Sequence, residues 1–150
     1  FQNTYTRLDL CSSAAVVLAQ TTDGRLIINS EYRHPTGKWL LSCPGGRVDQ
    51  NETPLEAVKR ELLEETGYIA DEWQELIAFH TTPGGNDETI TIFVAKSVRH
   101  QGHELELEGE ETDLELRWVP LAEALESVLN SEMKSPSAGY GLMALAHQLA

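Results

Sequence analysis

Apolar positions along the chain run together or alternate in ways that predict strands and helices. Residues 14–19 are an uninterrupted apolar run, which predicts a strand buried on both faces. The Asp23-Gly24 pair is typical of a hairpin turn, and a second strand is predicted over residues 26–28. Similar patterns predict further strands at 39–41, 74–80, 89–95 and 114–119, and helices at 121–129 and 137–149.

The clearest helix is predicted over residues 54–66. Thr53 is suited to the N-cap, Pro54 to the first helical position, and Glu56 completes a capping box. Gly67 supplies the stop signal at the other end. The buried side of this helix is predicted to be an apolar stripe formed by Leu55, Val58 and Leu62.

Composition and charge narrow the class of protein. The chain has 150 residues and a formal net charge of -13, and this length suits a single domain, 1–150. Such an acidic balance argues against nucleic acid as a partner, because nucleic-acid binders normally carry a basic face. The same balance would repel a phosphate substrate unless bound cations intervened. The chain begins at Phe1 rather than Met, which leaves a truncated N-terminal segment open.

Cysteine, histidine and tryptophan positions have ordinary structural interpretations. Cys11 and Cys43 are predicted to be reduced, partly buried thiols, and one disulfide between them is the alternative. No signal peptide is visible and no apolar run is long enough to span a membrane, so a cytoplasmic location and no membrane partner are expected. His100 and His103 lack a third ligand and are predicted to lie on the surface. Core or sheet-face positions are predicted for Trp39, Trp73 and Trp118.

Three glutamates of the predicted helix share one of its sides. Glu61, Glu64 and Glu65 stand at i, i+3 and i+4, within an arc of about 100°. Like charges at this spacing cost helix stability, and Mg²⁺ or Mn²⁺, which prefer oxygen ligands, would remove that cost. Taken alone, the three residues fit a solvated acidic helix face equally well.

The residues around these glutamates follow a longer pattern, which resembles the Nudix box. The resemblance implies an α/β fold, the Nudix α/β/α sandwich with a mixed β-sheet between helices. It also implies Mg²⁺-dependent cleavage of the diphosphate link of a nucleoside diphosphate joined to another group. The matching positions, in chain order, are Gly46, Glu52, Arg60, Glu61, Leu62, Glu64, Glu65, Gly67 and Tyr68.

The resemblance assigns metal ligands and structural roles. It implies that the Gly45 carbonyl and the Glu61 and Glu65 carboxylates bind Mg²⁺ directly, with Mn²⁺ as a substitute. Glu64 would bind a further ion and counts among the catalytic candidates. A charge-assisted contact that holds the loop against the helix is implied for the remaining charged pair, Glu52 and Arg60.

Segments outside the box are similar to the ADP-ribose and nucleoside diphosphate sugar pyrophosphatases. In Glu31-Tyr32-Arg33, the resemblance implies that Arg33 contacts the diphosphate or the terminal ribose, since its planar fork suits phosphate oxygens. A surface arginine at a strand end is the alternative. In residues 82–88 a proline, a glycine pair and acids precede an apolar strand. An ordinary Pro-Gly loop is the alternative for this segment. With the box glycine, the resemblance gives Arg33, Gly46, Pro83 and Glu88 as the substrate-binding candidates.

An acidic loop over residues 108–113 is the third such segment. In the family this loop supplies the catalytic base, and Glu110 fits that position best, followed by Glu111. A base must reach the attacking water within hydrogen-bond distance, which a loop can allow by moving. A solvated acidic loop is the alternative interpretation.

The resemblance implies hydrolysis of ADP-ribose to AMP and ribose 5-phosphate, or of related nucleoside diphosphate sugars. The expected partner is therefore a small-molecule nucleotide. One rival is a nucleoside triphosphate pyrophosphatase of the nucleotide-sanitising type, and another is a non-catalytic sensor of ADP-ribose. Members of this branch usually carry an N-terminal segment that swaps between subunits, whereas about thirteen residues precede the first core strand here. A homodimer is therefore compatible with the pattern but in doubt.

Overall fold

The computed structural model describes residues 13–102 and 114–150, and these residues form eight strands and three helices. The strands are β1 (Ser13–Thr21), β2 (Leu26–Arg33), β3 (Lys38–Ser42), β4 (Gly45–Arg47), β5 (Tyr68–Ile69), β6 (Glu72–His80), β7 (Thr89–His100) and β8 (Glu115–Val119). The helices are α1 (Pro54–Thr66), α2 (Leu121–Leu129) and α3 (Pro136–Leu149).

The strands form one mixed sheet with β1 at its centre. The main order is β3-β2-β1-β7-β5, while β4 also pairs with β1, β6 with β7, and β8 with β2. β1 is parallel to β7 and antiparallel to β2 and β4. Residues 15–19 of β1 are buried throughout. The prediction of a strand covered on both faces is confirmed.

Helices cover both faces of this sheet. Val17 of β1 lies in the apolar cluster beneath α1, together with Val58 and Leu62 of that helix. Its neighbour Leu18 points to the opposite face and packs in a cluster with Leu142 of α3, as the alternation of side chains along a strand requires. The predicted α/β/α sandwich is therefore confirmed.

Local signals define α1 at both ends. The Thr53 side chain accepts a hydrogen bond from the Glu56 backbone N–H, and the Glu56 carboxylate accepts one from the Thr53 N–H. Gly67 ends the helix in the left-handed region at φ 72° and donates to the Leu63 carbonyl. A residue with a side chain is disfavoured in that backbone conformation. The predicted boundaries, 54–66, are those of the helix.

The segments that carry the candidate residues meet at one end of the sheet. Since β2 runs antiparallel to β1 and β7 runs parallel to it, the C-terminal end of β2 lies at the same end of the sheet as the N-terminal ends of β1 and β7. β4 pairs at the same end, where Ala15 faces Gly46. β8 begins there too, with Glu115 opposite Ser30 of β2.

Two short strands differ from the sequence prediction. No strand is predicted over Gly45–Arg47, but this segment forms β4 and pairs with Ala14 to Val16 of β1. Tyr68–Ile69 was not predicted as a strand and pairs with the end of β7. Neither segment has enough residues to show an alternating pattern, so each depends on pairing with a partner distant in sequence.

Several smaller predictions also have an outcome. Cys43 is a buried free thiol as expected, while Cys11 lies outside the described residues. Trp39 is on a sheet face rather than in the core, with 51% of its surface exposed. His100 is exposed, and its ring packs edge-on against Tyr68. Within the described ranges, no helix combines the length and apolar character needed to cross a membrane.

Candidate functional site

The acidic face of α1 packs against the two glycines of β4. Glu61 and Glu65 are one helical turn apart, and only 8% and 3% of their surfaces are exposed. The backbone N–H of Gly45 donates to Glu65 Oε2 at 3.1 Å. Two carboxylates that the helical pattern predicts on one side are thus held against one short stretch of backbone.

Gly45 and Gly46 are required for different physical reasons. A Cβ atom on Gly46 would collide with the Glu61 carboxylate. A Cβ atom on Gly45 would instead collide with the backbone carbonyl of Ala15 in β1, and Gly45 has φ 155°. Gly45 therefore lets β4 approach β1 closely. Gly46 lets the backbone of β4 approach the Glu61 carboxylate.

Arg60 links the loop to the helix. Its Nε and Nη2 donate to Glu52 Oε1 and Oε2 at 3.1 and 3.0 Å, and Nη2 also donates to the Arg47 carbonyl at 3.1 Å. Paired hydrogen bonds of this kind are strong and directional. The predicted charge-assisted contact between Glu52 and Arg60 is confirmed.

The same guanidinium also contacts two candidate ligands. Arg60 Nη1 donates to Glu61 Oε1 at 2.8 Å and to Glu64 Oε2 at 3.0 Å. The hydrogen bonds that Arg60 donates to Glu52, and then to Glu61, hold the pKa of Arg60 above its ordinary value. Arg60 in turn holds the pKa of Glu52 below its usual range. Positive charge therefore lies between Glu61 and Glu64 in this conformation.

The side chains as they stand do not enclose a metal ion. Across the described ranges, no three His, Cys, Asp or Glu side chains converge to form such a group. Glu61, Glu64 and Glu65 nevertheless supply oxygen donors alone, the class that Mg²⁺ and Mn²⁺ prefer. With Glu52 they bring four negative charges to the single positive charge of Arg60.

Cys43 lies beside this site without the properties of a nucleophile. Burial, with the negative charge of Glu65 as a smaller contribution, raises the pKa of the Cys43 thiol to about 12. A thiol with such a pKa stays protonated at neutral pH, whereas the thiolate is the reactive species. Covalent catalysis through Cys43 is therefore disfavoured.

Arg33 occupies the last position of β2, at the same end of the sheet. Its Nη2 lies 2.9 Å from Glu31 Oε2, and 46% of the arginine side chain is exposed against 5% for the glutamate. The next strand begins directly opposite, because Lys38 is the register partner of Arg33. Sequence reasoning did not single out Lys38, because pairing register cannot be read from a single strand.

The loop between β6 and β7 also emerges at this end. Glu88 Oε2 accepts a hydrogen bond from the Thr81 hydroxyl at 2.7 Å, which closes the loop on itself. The Gly85 N–H donates to the Thr82 carbonyl at 2.8 Å, forming a turn that includes the exposed Pro83. Glu88 therefore supports the loop in this conformation.

The structure brings some candidate residues into contact and others only to the same region. Glu61, Glu64 and Glu65 lie on one face of α1, with Gly45 and Gly46 against it. Arg33, Pro83 and Glu88 belong to segments at the same end of the sheet. The two candidate bases lie outside the described residues; they are Glu110 and Glu111.

Comparisons with known proteins indicate the family independently of the site geometry. A family model described as NUDIX domain matches residues 10–139. The ADP-ribose pyrophosphatase of Mycobacterium tuberculosis is 35% identical over 133 residues, which are 88% of this chain and 64% of that protein. The ADP-ribose pyrophosphatase of Bacillus subtilis is 33% identical over 132 residues, covering 88% of this chain and 71% of that protein.

Further similarities concern a sugar nucleotide enzyme and a solved structure. The GDP-mannose pyrophosphatase of Yersinia enterocolitica is 29% identical over 133 residues, or 84% of this chain and 69% of that protein. A crystal structure of an ADP compounds hydrolase superposes with a TM-score of 0.79 at 25% identity, covering 92% of this chain and 72% of that one. The chain thus spans 64% to 71% of the length of these curated relatives.

Proposed function

This chain belongs to the Nudix family, and on that premise we propose that it hydrolyses the diphosphate linkage of ADP-ribose or of a related nucleoside diphosphate sugar. With ADP-ribose and water, the products are AMP and ribose 5-phosphate. Two relatives above 30% identity carry the name ADP-ribose pyrophosphatase. The GDP-mannose pyrophosphatase at 29% identity supports the wider substrate class.

The packing of α1 against the glycines of β4 carries this proposal. The Glu61 carboxylate lies so close to the loop backbone that even a Cβ atom on Gly46 would collide with it. Burial of the Glu61 and Glu65 carboxylates costs free energy, which hydrogen bonds from Arg60 and from the Gly45 N–H offset in part. Burial of acidic side chains is expected where they bind a cation.

Nudix hydrolases generally use divalent metal ions, and the residues here fit one. The donors at the site are oxygens, and they are negatively charged in excess of Arg60. We assign Mg²⁺, with Mn²⁺ as a substitute, to the Glu61, Glu64 and Glu65 carboxylates and the Gly45 carbonyl. When bound, the ion supplies Lewis-acid polarisation of diphosphate oxygens.

The other assignments concern binding and proton transfer. Arg33 contacts the diphosphate or the terminal ribose with the half of its side chain that is exposed. Gly46, Pro83 and Glu88 belong to the backbone and loop that border the substrate. A carboxylate of the acidic loop, Glu110 or Glu111, accepts a proton from the water that attacks phosphorus. One P–O bond then forms and the bridging P–O bond breaks, leaving a phosphate on each product.

A substrate panel tests the proposal. Purified protein is incubated with ADP-ribose, GDP-mannose, UDP-glucose, ADP-glucose, diadenosine polyphosphates and dATP, with Mg²⁺ and Mn²⁺ in separate series. We expect ADP-ribose or a nucleoside diphosphate sugar to give the highest kcat/KM, with a nucleoside monophosphate as product. Release of pyrophosphate from dATP at a higher kcat/KM would establish the nucleotide-sanitising rival instead. ADP-ribose binding without turnover of any compound would indicate a sensor.

A further inference from the structure

The tip of the β2–β3 hairpin brings two cations side by side. Arg33 and Lys38 are the last register partners of these strands, and the pairing runs without a break from Asn29 opposite Ser42. Directly opposite residues of an antiparallel pair point to the same face, with Cβ atoms about 5 Å apart. Like charges in this position destabilise a hairpin, so the pairing calls for a compensating group.

A buried carboxylate lies beneath the pair. Glu31 precedes Arg33 by two positions and therefore points to the same face. It is 4% exposed, and its Oε2 lies 2.9 Å from Arg33 Nη2. The three side chains together carry one net positive charge on a protein of net charge -13.

The face on which they lie is the one that carries α1. Ile27 of β2 belongs to the apolar cluster beneath α1. The register of β2 with β8 and then with β3 is continuous from Leu26 to Arg33, so side-chain alternation along the strand is unbroken. Arg33 and Lys38 therefore lie on the α1 face, at the end of the sheet where β4 and the acidic face of α1 meet.

We infer that Arg33 and Lys38 form one anion-binding fork for a phosphate group of the nucleotide, and that Glu31 is a positioning residue acting through Arg33. The ligand class rests on the proposed function. Glu31 binds one side of the guanidinium and fixes its direction, while the exposed part of the side chain stays available for hydrogen bonds. A planar guanidinium with a pre-set orientation loses less entropy on binding phosphate than a free one.

Kinetic constants separate this arrangement from a purely structural ion pair. We expect Lys38→Met and Glu31→Gln each to raise KM for the preferred substrate about tenfold, with kcat nearly unchanged, because a charged hydrogen bond to bound substrate is weakened. Arg25→Met is the matched control. Arg25 pairs with Asp23 over the same two-residue spacing, at 2.8 Å, but at the opposite end of β2. Its KM should equal that of the wild type.

A double variant shows whether Glu31 acts through Arg33. If it does, Glu31→Gln raises KM in the wild-type background but has no further effect when Arg33 is already methionine. Additive effects of the two substitutions would overturn the positioning role. Thermal unfolding of each variant establishes that it is folded, and Lys38→Met, at an exposed position, tests the fork even where a Glu31 variant does not fold.

Binding without metal distinguishes failure of the fork from failure of the proposed function. AMP is titrated into the protein in EDTA by calorimetry, with adenosine as the comparison that lacks phosphate. Weaker AMP binding to Lys38→Met than to the wild type supports the fork, whether or not any nucleoside diphosphate sugar is hydrolysed. Equal AMP binding by the two proteins, with hydrolysis and KM intact in the variant, would refute the fork and leave the proposed function standing.

Discussion

At the scale of single residues, Gly45 and Gly46 are adjacent but constrained by different neighbours. Gly45→Ala should destabilise the fold by about 2 kcal/mol or more, because its Cβ meets the fixed backbone of Ala15 in the central strand. Gly46→Ala should mainly lower kcat, since its Cβ meets the Glu61 carboxylate, which can rotate away from its place.

Thermal unfolding and steady-state kinetics of both variants check this contrast. Gly84→Ala is the control for stability, because nothing lies within 4 Å of a Cβ at that position. A Gly46→Ala enzyme with unchanged kcat would contradict the importance given to the position of Glu61.

Glu65 is the residue whose loss should be most informative for the assignment of the metal. Glu65→Gln keeps the shape of a side chain that is 3% exposed, so the fold should persist. Activity with Mg²⁺ should fall by at least about 100-fold, because a neutral amide is a poor ligand for the ion. Circular dichroism and kcat are measured together, with Glu72→Gln on the exposed edge of β6 as a matched change of charge. Near-full turnover by Glu65→Gln would make the ligand assignment wrong.

At the scale of elements, Arg60 joins the loop after β4 to α1, and this connection should depend on pH. The Arg60 guanidinium holds the pKa of Glu52 below its usual range. A carboxylate with a lowered pKa contributes stability above its ordinary pKa of 4.5, and the contribution is lost as the pH falls through the lowered value. Arg60→Met should remove it.

The measurement is the melting temperature of wild type and variant as a function of pH. Their difference should be largest near neutral pH and shrink as the pH falls below 4.5, the ordinary pKa of the Glu52 carboxyl. Arg99→Met is the control: its two hydrogen bonds to Asp71 are solvent-exposed, and exposed pairs contribute little. A difference independent of pH would mean that Arg60 acts through packing rather than through its charge on Glu52.

The elements also show which parts of the molecule are predictable from sequence. The boundaries of α1 follow from Thr53 and Gly67, whose effects act within one turn of the helix. β4 is different, because two glycines give no strand signal and its pairing with β1 lies outside any local window. The burial of Glu31 is also not predictable from the sequence, because a charged residue at a strand end normally faces water.

At the scale of the whole molecule, net charge should couple stability to divalent cations. A site that brings four glutamates to one arginine repels itself at low ionic strength, and binding of Mg²⁺ to the folded state alone stabilises that state. We expect saturating Mg²⁺ to raise the melting temperature by about 5 °C relative to EDTA.

Two comparisons isolate the specific effect. NaCl at matched ionic strength accounts for general screening, and Glu61→Gln should lose most of the increment that Mg²⁺ gives to the wild type. An equal increment in NaCl, or one retained in full by the variant, would contradict a specific site on α1. Sedimentation of the same samples tests whether the protein is a homodimer. The homodimer and the cytoplasmic location both stay predictions.

The gathering of candidate segments at one end of the sheet is a property of topology, not of any single motif. The box predicts the glutamates of α1, but only the strand directions bring the ends of β2 and β7 to the same end of the sheet as β4. Glu110 and Glu111 belong to the part that stays a prediction, because they lie outside the described residues. Residue types indicate the chemistry of the site, whereas strand order and direction determine which segments lie at the same end of the sheet.

Because the candidate segments lie at one end of the sheet, the opposite end is under less functional constraint. The turn at 22–24 joins β1 to β2 there, and loops far from the chemistry tolerate insertions and sequence drift. A fluorophore, an affinity tag or an inserted domain at Gly24 should therefore spare turnover. Sequence variation in homologues should follow the same division. Changes in the loops at the site end should alter the substrate, and changes in the turn at the other end should alter fused domains or binding partners.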